Sequence, residues 1–180
     1  MDIRAAQNDL RQAYTSGATG VLVSGMVWLA AGMIAKLSTF QNSIMFFFVA
    51  GMFIFPLGML LSKMFFKAKA TVKGNALSTL AGASTILLFI GLFLAFFVSK
   101  NEAHFYPIMM LIIGARYLMF QTVYGMRSFF LLGAVLIAVG FFAIQYFQIP
   151  VYQAACIGGA VEVIFALALF KSHAGFSAQS

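Results

Sequence analysis

Long apolar segments separated by short polar or charged stretches dominate the pattern along this chain. Six segments are near the length of ~20 residues that a helix needs to cross a bilayer. Their approximate bounds are 17–37, 43–62, 78–99, 106–124, 129–147 and 150–170. They are solidly apolar and lack the alternation that is typical of transmembrane β-strands. The pattern therefore predicts an all-α polytopic membrane protein whose transmembrane domain, residues 17–171, contains six helices.

The two ends of the chain are more polar than the segments between them. In residues 1–16 the apolar side chains recur at helical spacing, with polar side chains on the other side, which predicts a short amphipathic interfacial helix. This stretch has no net positive charge, and the apolar segment behind it is longer than the ~7–15 residues of a signal-peptide core. We therefore expect the first span to be retained. Residues 172–180 are predicted to be a cytoplasmic tail.

The positions of the basic residues predict how the helices are oriented. If both termini are cytoplasmic, eight basic residues lie on the inner side: Arg4, Arg11, Lys63, Lys67, Lys69, Lys73, Arg127 and Lys171. Lys36 and Lys100 then fall in outer loops, and Arg116 falls inside a span. Cytoplasmic segments of membrane proteins are enriched in Lys and Arg, so this distribution favours cytoplasmic termini.

Composition excludes several classes of protein. The chain is 63% hydrophobic, whereas soluble domains are nearer ~45–50%. The net charge of +7 is dispersed between apolar segments, so it does not indicate nucleic-acid binding. Motifs of metalloproteases, serine hydrolases and phosphate-binding loops are absent, so we expect neither an enzyme nor a cofactor or metal site. The expected partners are the lipid bilayer, a small polar or anionic solute, and a second copy of the chain, because six short spans make a thin bundle.

Arg116 and Glu162 are the two charged residues near the middle of predicted spans, whereas Lys36 lies at the outer end of the first span. A charge near the bilayer centre costs ~2.5–3.5 kcal/mol on insertion scales, and such residues usually face the bundle interior, a partner or water. The two lie at similar depth, in spans four and six, and these spans run in the same direction. Tyr117, Gln121 and Tyr124 share a helical arc with Arg116. These five residues form the predicted substrate-binding site.

Two interpretations of the Arg116–Glu162 pair remain open. In the structural one, the pair is a buried ion pair that fixes the order and register of the helices. In the functional one, it forms the floor of a hydrated cavity, where Arg116 attracts a solute and Glu162 titrates or competes with that solute. The sequence therefore indicates a small-solute or ion transporter or channel, or else a non-transporting structural, stress-response or assembly protein.

Other polar and special residues inside or near the spans are assigned simpler roles. A small polar stripe on the third span, which we expect to mediate helix packing, consists of Ser78, Ala81, Gly82 and Thr85. His104 and His173 are expected to be solvated. The mid-span position of Trp28 suggests that it faces protein or a cavity, and Cys156 is expected to act as a small buried hydrophobe.

Two stretches carry a family resemblance: GVLVSGMVWLAAG (Gly20–Gly32) and GGAVEVIFALALF (Gly158–Phe170). They resemble segments of small six-span bacterial inner-membrane proteins of unknown function. In size and hairpin arrangement the chain also resembles the six-span acid-resistance membrane protein family. The resemblance implies a location in the bacterial inner membrane and transfers no functional residue.

Overall fold

The computed structural model describes residues 2–68, 71, 73–99, 101–147 and 149–178. This part of the chain is helical and contains no strand; its helices are α1 (Ile3–Ala13), α2 (Ala18–Leu37), α3 (Phe40–Phe66), α4 (Ala76–Val98), α5 (Phe105–Tyr124), α6 (Arg127–Phe142) and α7 (Val151–Ser177). Six of them, α2 to α7, are long and apolar enough to cross a membrane. The predicted all-α membrane fold is confirmed. Lys69 and Lys100, used above to predict orientation, lie outside the described residues, as do residues 1, 179 and 180.

Local capping signals account for several helix ends. The Thr39 hydroxyl accepts a hydrogen bond from the Asn42 amide at 3.1 Å and begins α3, and Asn75 caps α4 in the same way. Gly125 ends α5 in the left-handed conformation, with φ of 62°. No such stop follows Phe170, and residues 172–177 of the predicted tail continue α7.

Facing glycines let two pairs of helices pack very closely. A Cβ atom at Gly159 of α7 would lie 2.8 Å from the carbonyl oxygen of Gly25 in α2. In the second pair, a Cβ atom at Gly133 of α6 would lie 2.6 Å from the carbonyl oxygen of Gly114 in α5. Without a hydrophobic driving force between helices in lipid, such close backbone packing is a main source of attraction. The pairs α2–α7 and α5–α6 are accordingly the most extensive helix contacts of the bundle.

Helix α1 packs across the ends of α4 and α5, and we call this side of the bundle the α1 end. Its apolar residues Ala6, Leu10 and Ala13 are buried there. Arg11 donates two hydrogen bonds to α5 and its cap, from Nε to the Tyr124 carbonyl at 2.6 Å and from Nη2 to the Gly125 carbonyl at 2.8 Å. These carbonyls have no partner within their own helix, so α1 supplies one. Partial burial lowers the pKa of the Arg11 guanidinium.

The turn between α1 and α2 has an unusual backbone. Thr15, Ser16 and Gly17 have φ values of 51°, 52° and 78°, and non-glycine residues adopt this region only when their surroundings hold them there. The Ser16 hydroxyl forms a hydrogen bond of 2.9 Å with Nδ1 of His173 in α7. His173 is buried next to this turn, because α7 continues beyond Phe170 and places the residue there. The expectation that His173 is solvated is therefore wrong.

A cluster of aromatic rings fills the bundle on the side of Arg116 away from the α1 end. The ring of Trp28 is fully buried and lies edge-on to Phe47, with ring centroids 5.0 Å apart, and tilted against Tyr106 at 5.5 Å. The Tyr106 hydroxyl is hydrogen-bonded to Ser43, which also donates to the Ala31 carbonyl. The expectation that Trp28 faces protein or a cavity is confirmed.

Candidate functional site

A cavity of about 460 Å³ lies between α2, α3, α4 and α5. This volume falls within the range of roughly 300–1,000 Å³ that is usual for small-molecule sites. Leu10 and Tyr14, from α1 and the turn after it, form its wall at the α1 end. The rest of the lining is mainly apolar, with Ser24, Thr85 and Arg116 among its polar groups. An apolar chamber with a few placed polar groups is the general form of a ligand site.

Arg116 extends from the middle of α5 toward α4. Its Nε donates to the Ser84 hydroxyl at 3.2 Å and its Nη2 donates to the Thr85 hydroxyl at 2.9 Å. Both hydroxyls in turn donate to the carbonyl oxygen of Ala81, which directs their own oxygen atoms at the guanidinium. The guanidinium carbon also lies 4.7 Å from the ring centroid of Phe120, at cation–π distance. The positive charge is thus fixed in the cavity wall by neutral groups.

Glu162 lies behind the cavity wall, fully buried on α7. Its Oε1 accepts a hydrogen bond of 2.9 Å from the Tyr117 hydroxyl, while its Oε2 has no hydrogen-bond partner among the described residues. The Ser24 side chain of α2 is close to both the carboxyl group and the Tyr117 hydroxyl. A buried carboxyl with one unsatisfied oxygen is an expensive arrangement.

The ion pair of the structural interpretation is not formed, because Arg116 and Glu162 have different hydrogen-bond partners and interact only at longer range. Successive residues of a helix are turned by about 100°. Arg116 therefore points toward α4, whereas its neighbour Tyr117 points toward α7 and meets Glu162. The two charges are held on different helices by different partners, and Tyr117 stands between them.

The structure brings together three of the five predicted site residues at the cavity: Arg116, Tyr117 and Tyr124 all line it. Glu162 joins them indirectly through Tyr117. Gln121 does not belong to the site, because its side chain is exposed on the outside of α5. Gln121 follows Arg116 by five residues, so the two side chains point about 140° apart around the helix axis. The helical arc predicted to line the site was too broad to separate these two directions.

The small polar stripe on α4 has a second role besides the expected one. Ser78, Ala81, Gly82 and Thr85 all line the cavity, and Thr85 at the same time joins α4 to α5 through its hydrogen bond with Arg116, so the stripe serves helix packing and also borders the site. Their spacing of three and four residues places them on one helix face, and this signal was visible in the sequence. Ser84, which binds Arg116 from the edge of the same face, was missed. Nothing in the sequence alone showed that α5 would be the neighbour of α4 at this level.

A second cavity, of about 70 Å³, lies on the other side of Arg116. It shares Ser24, Thr85 and Arg116 with the larger cavity and is also lined by Trp28. Nε1 of Trp28 is buried without a hydrogen-bond partner in the described structure. The only tryptophan of the chain thus lies next to the cationic part of the site.

Comparison with known proteins assigns no activity to this chain. A model of a family of unknown function, DUF7010, matches residues 3–172, which is nearly the whole chain. No curated protein and no solved structure matches the chain.

Proposed function

The chain belongs to DUF7010, a family of unknown function, and we propose from its geometry that this integral membrane protein binds and carries a small anionic solute. In this proposal it acts as a transporter or channel and not as an enzyme. One observation carries it: Arg116 places a positive charge, compensated by no carboxylate within 4.0 Å in the described chain, in the wall of a 460 Å³ cavity.

The energetics of a buried charge favour an anionic occupant. Opposite charges attract more strongly in a medium of low dielectric constant than in water, and this cavity has mainly apolar walls. Ser84 and Thr85 use two of the five N–H donors of the guanidinium. A bound carboxylate would accept from the remaining donors and offset the cost of burying the charge.

Glu162 has a supporting role in this proposal. Tyr117 connects it to the solute, because one face of Tyr117 lines the cavity while its hydroxyl binds the carboxyl group. Intramembrane carboxyl groups of this kind are proton sites in many carriers. We therefore propose that Glu162 takes up or releases a proton when the occupancy of the cavity changes.

Substitution of Arg116 tests the proposed function, with benzoate as a small, largely apolar anionic probe. Hydrogen bonds to charged groups contribute about 1.5–3 kcal/mol, so Arg116→Gln is expected to weaken binding by about 10- to 100-fold. Arg116→Lys keeps the charge and is expected to lose less. Arg4→Gln, on the exposed part of α1, is the matched control and should bind as the wild type does. Calorimetric titration in detergent measures all four proteins, and equal affinities for wild type and Arg116→Gln would contradict the proposal.

A non-transporting, structural role is the second candidate, and two contacts favour it. Arg116 ties α5 to α4 through hydroxyl groups, and Glu162 ties α7 to α5 through Tyr117. In that case both charged residues would serve helix packing without an ion pair between them. The candidate predicts that substitutions lower stability while no anion changes the melting temperature of the protein.

We further propose that the protein resides in a bacterial inner membrane with both termini in the cytoplasm. The basic residues support this orientation, since Arg11, Lys63 and Lys171 lie at the α1 end and Lys36 lies at the opposite end of α2. Fusions of alkaline phosphatase, which is active only outside the cytoplasm, are expected to be inactive after residue 178 and active after Lys36. The reverse result would contradict the orientation.

A further inference from the structure

The cavity has an opening between two helices whose backbones lie far apart along most of their length. Helix α3 packs on α2 and α4 packs on α5, but within the described residues the backbones of α3 and α4 hardly approach each other. Both helices nevertheless line the cavity. They are also the least buried of the six long helices. A slit therefore separates α3 from α4 along the side of the cavity.

Aromatic contacts limit this slit on one side. The Phe48 ring of α3 lies 6.0 Å from Phe89 and 5.5 Å from Phe93 of α4, measured between ring centroids. Between this contact and the α1 end, the slit is bordered by Phe55, which is 55% exposed, and Ile86, which is 66% exposed. Gly82 contributes no side chain at this edge, and a Cβ atom there would meet nothing within 4 Å.

The surroundings of the slit determine what can enter it. Since α3 and α4 are long, apolar helices whose outer faces are exposed, the slit faces the hydrocarbon of the bilayer. Water-soluble anions do not dissolve there, whereas amphiphiles are concentrated there. Toward the opposite end of the bundle, the aromatic cluster of Trp28, Phe47 and Tyr106 is packed and buried. Lateral entry is the route that needs no rearrangement of packed helices.

We propose that the natural occupant is a single-chain amphiphile with a carboxylate head, such as a fatty acid, which enters from the bilayer between α3 and α4. Its head is bound by Arg116, and its chain lies along the apolar walls of the cavity. This proposal rests on the proposed function, because both assign the anion to Arg116. It adds the substrate class and the path of entry. The volume of about 460 Å³ suits one chain and not the two chains of a phospholipid.

Trp28 provides the measurement, because it is the only tryptophan and lines the small cavity beside Arg116. The protein is reconstituted into phosphatidylcholine vesicles and titrated with a fatty acid that carries bromine, a contact quencher of tryptophan fluorescence, near its carboxyl end. We expect saturable quenching in the wild type. Brominated phosphatidylcholine should quench little, because Trp28 is fully buried from the surrounding lipid.

A substitution at Gly82 tests the path of entry. Gly82→Phe places a ring in the slit and is expected to slow the onset of quenching by at least tenfold. Gly175→Phe is the matched control, since this glycine of α7 also has open space at its Cβ position and does not line the cavity. Unchanged melting temperatures show that the variants are folded. Equal rates of quenching in wild type and Gly82→Phe would overturn entry through the slit.

Arg116→Gln and a water-soluble probe separate this proposal from the proposed function. If benzoate binds in an Arg116-dependent manner but the brominated fatty acid does not quench, the proposed function survives and the amphiphile proposal is overturned. If the fatty acid quenches equally in wild type and Arg116→Gln, the amphiphile proposal is overturned, and if benzoate also binds both proteins equally, the proposed function is overturned as well. Saturable quenching that is weakened by Arg116→Gln and slowed by Gly82→Phe, together with Arg116-dependent binding of benzoate, supports both.

Discussion

At the scale of single residues, the two charged side chains inside the spans, Arg116 and Glu162, each have neutral hydrogen-bond partners of their own. Arg116 is held by two hydroxyls of α4, and Glu162 is held by the hydroxyl of Tyr117. Their positions inside predicted spans marked both as unusual from the sequence. Which partner each one meets was not predictable, because that depends on the neighbouring helix and on a turn of about 100° per residue.

The hydrogen bond between Tyr117 and Glu162 is expected to stabilise the fold. Tyr117→Phe leaves the buried carboxyl without its described donor and should lower the free energy of unfolding by about 1–3 kcal/mol. Glu162→Gln keeps an oxygen that accepts from Tyr117, so a smaller loss is expected. Thermal or denaturant unfolding in detergent, followed by Trp28 fluorescence, measures these changes. Tyr146→Phe, at a tyrosine that is 69% exposed, is the control; a loss no larger in Tyr117→Phe than in this control would contradict the prediction.

At the scale of the helices, length and polarity were readable from the sequence, but pairing was not. Apolar length alone indicates a helix that can cross the bilayer. The most extensive contact between two helices is that of α2 with α7, the first and last spans, which are far apart along the chain. Glycines such as Gly25 and Gly159 permit this contact, yet other glycines of the chain, such as Gly51, meet nothing at their Cβ position. A glycine in a span therefore permits close packing but does not identify its partner.

A pair of alanine substitutions distinguishes these two kinds of glycine. Gly159→Ala puts a methyl group 2.8 Å from the carbonyl oxygen of Gly25, so α2 and α7 must separate. Overpacking of this kind costs typically about 1–3 kcal/mol, and the melting temperature should fall. Gly51→Ala adds the same methyl group in open space and should leave the melting temperature unchanged or raise it, because alanine favours helix. Similar effects of the two substitutions would argue against the α2–α7 contact described here.

At the scale of the whole molecule, the cavity is the product of an uneven bundle. Helices α2, α5, α6 and α7 form close contacts, whereas α3 packs mainly on α2 and α4 packs mainly on α5, which leaves a space between α3 and α4. α1 covers one end of that space with Leu10. The bundle thus has a packed half, which supplies stability. Its open half, on the side of α3 and α4, contains the cavity and the Arg116 guanidinium.

Binding of an anion in the open half should stabilise the entire fold. A ligand that binds only the folded protein adds about 2.7 kcal/mol to the free energy of unfolding when its concentration is 100 times its dissociation constant. Benzoate at that concentration is expected to raise the melting temperature of the wild type, and to stabilise Arg116→Gln by only about 0.4–1.4 kcal/mol, because that variant binds 10- to 100-fold more weakly. Chloride at the same ionic strength is the control. A rise of equal size in both proteins would show that the effect does not involve Arg116.

The sequence by itself determined that this protein lies in a membrane and how many of its helices can cross that membrane. Those properties are local, because each span is recognised by its own length and apolarity. It also singled out Arg116, Tyr117, Gln121, Tyr124 and Glu162, since polar groups inside apolar spans are costly wherever they point; of these, Gln121 lies outside the cavity. Only the tertiary structure decided that Arg116 faces a cavity, that Tyr117 and not Arg116 binds Glu162, and that the α4 stripe lines the site. These facts depend on which helices are neighbours, and that is set by contacts such as Gly25 with Gly159 between residues far apart in the chain.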